Sequence, residues 1–133
     1  MGTWGYGSFD NDDAADWVYE FESSGRAAVT SALRRVAELA NGKYLEAPEA
    51  TTALAAAEIV AAAHDGDLSK LSEEARKAFV AHRQSLTGSV DVATARKAVE
   101  RVARESELKE LWEESDESQN WLNEVNGLLA RLR

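Results

Sequence analysis

The segment from Ala50 to Ala63 does most to limit how this chain can fold. Apart from Thr51, Thr52 and Glu58 it is apolar or small throughout, and no polar face recurs at the 3.6-residue period of a helix. Such a helix cannot lie on a surface with one side in water. It has to be enclosed by other helices, and its alanines let them approach closely. Pro48 suits its first turn and Asp65-Gly66 its end.

The enclosing helices are legible from their stripes. Asp10 or Asn11 can cap a first helix, with Asp12 and Asp13 in a first turn where the helix dipole favours carboxylates. Ala14, Trp17, Val18 and Phe21 then share one face, while Asp12, Asp13, Asp16 and Glu20 share the other. A second helix, capped by Ser23 or Ser24, places Val29, Leu33, Val36 and Ala37 on one side and runs to Asn41-Gly42. After the alanine-rich helix, Leu71, Ala75, Ala78, Phe79 and His82 mark a fourth, capped by Ser69 or Ser72 and stopped by Thr87-Gly88. A fifth starts near Asp91 and carries Val92, Ala95, Val99 and Val102 inward. Ser106 caps its continuation, in which Leu108, Leu111 and Trp112 face the core. Asp116 or Ser118 starts the last helix, with Trp121, Leu122, Val125, Leu128, Leu129 and Leu132 at helical spacing. The expectation is an all-α fold, a single-domain bundle of five to seven helices over residues 10–133 with residues 1–9 as an N-terminal arm.

That arm is rich in glycine and aromatics. Trp4, Tyr6 and Phe9 alternate with Gly2, Gly5, Gly7 and Ser8, which suits an extended segment lying close over other backbone with its aromatics buried, each worth roughly 1.5–3 kcal/mol. The run Met1-Gly2-Thr3-Trp4-Gly5, with Phe9-Asp10-Asn11-Asp12 and Ala14-Ala15-Asp16-Trp17, resembles the opening of a bacterial family, domain of unknown function 4259. Ala55 to Ala61 and Ser106 to Trp112 resemble that family's middle and C-terminal segments, so the likeness extends over nearly the whole chain. Ser8 departs from the family's pattern, which has proline at that position. The resemblance implies a shared fold and no established activity.

Charge and composition narrow the classes of function. The chain has no cysteine and a net charge of −9. Residues 1–25 hold six acids and no base, and residues 105–117 hold seven acids against Lys109, so these two segments are each strongly negative. Nucleic acid is therefore not an expected partner. The uncharged stretches are too short to cross a bilayer, so no membrane role is expected either, and the cytoplasm is the expected compartment. Asp12, Asp13, Asp16, Glu20, Glu110, Glu113 and Glu114 form a candidate acidic surface for a basic protein partner.

Few residues are chemically out of place. Ser106-x-x-Lys109 has the spacing of a serine nucleophile with a lysine base, but Ser106 stands where a helix cap is needed. An aspartate-rich calcium loop needs oxygen ligands at alternating positions and a glycine, whereas Ala14 and Ala15 follow Asp13. No metal ligand set and no cofactor motif is present. Glu58 is the anomaly, since a carboxylate on an apolar helix must find hydrogen-bond donors or take up a proton. Backbone N–H groups of the arm or the Trp4 indole are the expected donors, fastening arm to core. The reading is a non-catalytic interaction or adaptor module, monomeric or weakly self-associating, with immunity proteins as the analogy. Its alternative is a hydrolase or metal-dependent enzyme using Glu58 with Asp10, Asp12 or His64.

Overall fold

A computed structural model describes residues 5–86 and 92–133. Among these, eight helices follow one another: α1 (Asp12–Ser24), α2 (Arg26–Ala37), α3 (Ala47–Asp65), α4 (Glu73–Ala81), α5 (Arg83–Leu86), α6 (Val92–Arg104), α7 (Glu107–Glu113) and α8 (Ser118–Arg131). The all-helical expectation holds, with one helix more than its upper count. The extra element arises at His82, where the fourth helix stops and a single further turn, α5, begins. The expected stop at Thr87-Gly88 and start at Asp91 lie outside the described residues, as does Trp4.

The alanine-rich helix is the centre. α3 packs against α1, α2, α5, α6, α7 and α8. Ala50, Thr51 and all of Ala53 to Ala62 are buried. Pro48 sits in its first turn, and Gly66 ends it in the left-handed conformation that glycine adopts without a Cβ clash. One apolar cluster runs from Phe9 through every helix to Leu132. No described helix is long and apolar enough to cross a membrane.

The caps refine the sequence reading. Asn11 rather than Asp10 caps α1, its Oδ1 accepting from Ala14 N at 2.8 Å. Ser72 accepts from Ala75 N, and Ser106 accepts from Lys109 N at 3.0 Å while donating to Val102 O at 2.8 Å, so that serine serves as a cap. The last helix begins after Glu117 without a side-chain cap.

The junction of α1 and α2 overturns one expectation. Ser23 and Ser24 do not cap α2 but finish α1, and Gly25 alone reverses the chain, with φ 57° and ψ −130°. A Cβ at this position would lie 2.7 Å from His82 Nδ1. The His82 ring closes over the turn, makes a 2.8 Å hydrogen bond to Glu22 O through Nε2, and packs against Phe21. Gly25→Ala is therefore expected to cost roughly 1–3 kcal/mol from backbone strain, with displacement of His82 in addition. Chemical denaturation of the variant tests this, and an unchanged midpoint would contradict the geometry.

The arm also differs from an extended strap. Residues 7–10 turn, with Asp10 N donating to Gly7 O at 3.0 Å and Gly7 N donating to Asp10 Oδ2 at 3.2 Å. A Cβ on Gly5 or Gly7 would approach Asp10 Oδ2 to 2.6 or 2.8 Å, so these glycines make room for a carboxylate rather than for neighbouring backbone. Phe9 is buried as expected, but Tyr6 is 39 % exposed and not part of the core. The helix dipole and the tight turn thus divide the aspartates between them.

Candidate functional site

Glu58 is 3 % exposed, near the middle of α3. Two donors answer its carboxylate: the Ser8 hydroxyl donates to Oε2 at 2.9 Å, and Arg131 Nη1 donates to Oε1 at 3.2 Å. The arm is fastened to the core through Glu58, but by a hydroxyl rather than by backbone N–H groups. The Trp4 indole lies outside the described residues.

Arg131 belongs first to another carboxylate. Its Nε and Nη2 donate to the two oxygens of Asp65 at 2.8 and 3.0 Å, and Nη2 also donates to Asp67 O at 2.8 Å. This bidentate pairing holds the Asp65 carboxyl below its usual range and raises the Arg131 guanidinium. Glu58 receives only the remaining arm of the fork. Burial therefore dominates it, outweighing the Ser8 hydrogen bond and the Arg131 charge, and pushes its pKa up to about 7.

Glu58 and Arg131 border a cleft of about 120 Å³ with Lys70, Asn123, Glu124 and Leu128, across which Lys70 pairs with Glu124 at 3.3 Å. The other candidates for an enzymatic site are not gathered there. Asp10 is turned into the arm, Asp12 lines a different cleft, and His64 is exposed near the end of α3. None of the three hydrogen-bonds to Glu58 among the described residues. No group of three or more His, Asp or Glu side chains there is arranged to hold a metal ion.

The candidate acidic surface has two parts, one on α1 and one on α7. Asp12, Asp13, Asp16 and Glu20 are exposed along α1. None of them takes part in an ion pair among the described residues. At its start α1 approaches α7, since Asp12 and Asp13 line one narrow cleft with Leu108, Trp112 and Trp121. Trp17 and Phe21, stacked at 5.4 Å, form part of the buried face of α1, and Trp112 of α7 stacks at 6.4 Å on the buried Trp121 of α8.

The second acidic segment is less free than its composition suggests. Glu107 faces inward, its Oε1 accepting from Ala47 N at 2.7 Å to satisfy the start of α3. Glu110 accepts from Tyr44 Oη, Glu113 pairs with Lys109, and Glu105 pairs with Arg101. Glu114 and Asp116 stay exposed. Glu107 is therefore no part of the outward acidic surface.

Two arginines were not visible as structural residues in the sequence. Arg131 looks like a terminal surface residue until α8 folds back on α3. Arg101 is buried, with its guanidinium donating to the carbonyls of Leu39, Ala40, Lys43 and Glu105. It closes the loop after α2.

Comparison with curated proteins and with solved structures finds no significant match. The family described as Domain of unknown function (DUF4259) matches residues 2–124, a span that includes the arm, Glu58 and both acidic segments, and the chain belongs to that family.

Proposed function

We propose that this protein is a non-catalytic interaction module, an adaptor of the bacterial cytoplasm whose acidic surface receives a basic protein partner. The observation that carries the reading is the row of exposed carboxylates on α1, left without ion pairs and continued beside α7 where Asp12 and Asp13 share a cleft with Trp112. Their helix is already committed to the core by its opposite face, and beyond the favourable dipole position of Asp12 and Asp13 in its first turn these charges have no ion-pair partner within the bundle. Clustered surface charge of one sign steers an oppositely charged protein and raises its association rate, an effect screened beyond about 8 Å at physiological salt. The likeness to immunity proteins is one of charge and size alone. Cysteine-free composition supports the compartment.

Pull-down from the native host at low and at high salt tests the reading. Basic proteins captured at low salt and released by high salt are the expected result. Capture dominated by acidic or salt-insensitive proteins would contradict it.

A further inference from the structure

The outer face of α2 is the positive counterpart of α1. Arg26, Arg34 and Arg35 lie, with Glu38 as the one acid among them, on an open groove of about 1060 Å³ that α2 forms with His82 and Ser85. None of the three arginines takes part in an ion pair among the described residues. In a chain of net charge −9 this is an unneutralised basic strip directly beside an unneutralised acidic one. The two strips border a common seam of about 230 Å³, lined by Asp13, Asp16 and Glu20 from α1 and by Ala28, Ser31 and Arg35 from α2. Gly25 reverses the chain, so α2 returns beside α1, and Asp13, Glu20, Ala28 and Arg35 border the one seam.

We infer that the α1/α2 face is a self-complementary docking surface for a second copy of this chain, the carboxylates of each α1 seated on the arginines of the other α2. A two-fold axis running along the seam carries α1 of one copy over α2 of the other and preserves height along the seam. Asp13 and Asp16 of each copy then meet Arg34 and Arg35 of the other, and every contact occurs twice, as an isologous interface requires. Tyr19, 66 % exposed on the outward side of α1, supplies an aromatic ring for the opposing arginine groove. Exposed ion pairs contribute little singly, so the dimer is weak and salt-sensitive. The inference does not depend on a basic partner, although such a partner would compete with the second copy for Asp13 and Asp16.

Sedimentation equilibrium on a charge-swapped pair tests it. One variant carries Arg34→Glu and Arg35→Glu, the other Asp13→Lys and Asp16→Lys, with circular dichroism verifying that each folds. The wild type is expected to reach the mass of two chains at low salt and to return to one chain at about 1 M salt, where the Debye length is about 3 Å. Each variant alone should stay monomeric, because its positions 13 and 16 then carry the same sign as the positions 34 and 35 that they would meet. Their equimolar mixture should restore a two-chain species containing one copy of each, visible by native mass spectrometry. A wild type monomeric at low salt would overturn the inference. So would folded variants that fail to combine, or variants that each dimerise as the wild type does.

Discussion

Deleting residues 1–9 is expected to abolish cooperative melting or lower the melting temperature by well over 10 °C. The deletion removes Phe9, whose side chain is buried in the core and is worth roughly 1.5–3 kcal/mol. It also removes Ser8, leaving one oxygen of a buried carboxylate without its donor at roughly 1–3 kcal/mol. Asn11, the cap of α1, loses the Ser8 carbonyl that receives its Nδ2 group at 3.4 Å. These losses sum to several kcal/mol against a total stability of roughly 5–15 for a domain, so a large fraction of the stability goes. Differential scanning calorimetry measures it. A truncated protein melting at the original temperature would show that the arm is no part of the core.

The second large effect is at Glu58, and it has a sign in pH. The group ionises near pH 7 in the folded protein against an ordinary value near 4.5. Between those values the folded state binds a proton that the unfolded state has released, so stability falls as pH rises. The contribution is fully present below about pH 4.5, is lost as pH rises through about 7, and amounts to on the order of 3 kcal/mol. Glu58→Gln keeps the shape and stays neutral, so this dependence should vanish from it. The difference in stability between wild type and Glu58→Gln should shift in favour of the glutamine variant from pH 5 to pH 8. Glu58→Leu removes the acceptor while Ser8 Oγ and Arg131 Nη1 remain, and should be the least stable of the three at pH 5, by roughly 1–3 kcal/mol for each unpaired donor. Urea denaturation across that range tests both statements. A leucine variant more stable than the other two, or a difference between wild type and Glu58→Gln that does not move with pH, would contradict the assignment.

How far the sequence reveals these features depends on whether the signal is local. The enclosure of α3 is legible because an unbroken apolar run leaves no solvated face, and Glu58 is legible because it is the single acid in that run. Caps formed within four residues, at Asn11, Ser72 and Ser106, are legible for the same reason. The partner of Glu58 is not, since Arg131 lies 73 residues away and its fork is divided among Asp65, Asp67 and Glu58 by tertiary packing. Arg101 and Glu107 look like surface charges in any periodic reading. Each is drawn inward by unsatisfied backbone groups of another element, the carbonyls after α2 and the first N–H of α3. A cap at Ser23 or Ser24 would place Gly25 inside α2, whereas Gly25 alone makes the turn, beneath the ring of His82.

The proposed division of labour, with α1 carboxylates for recognition and Glu58 for structure, predicts opposite behaviour in two variants. The direct measurement is the association rate of a captured basic partner with wild type, with Glu58→Gln, and with Asp13→Asn, Asp16→Asn and Glu20→Gln combined, each over a range of salt. Glu58→Gln should associate as the wild type does. The triple amide variant should associate more slowly and with a flatter salt dependence while melting nearly where the wild type melts. Unaltered kinetics in the triple variant, or loss of association in a folded Glu58→Gln, would contradict the account.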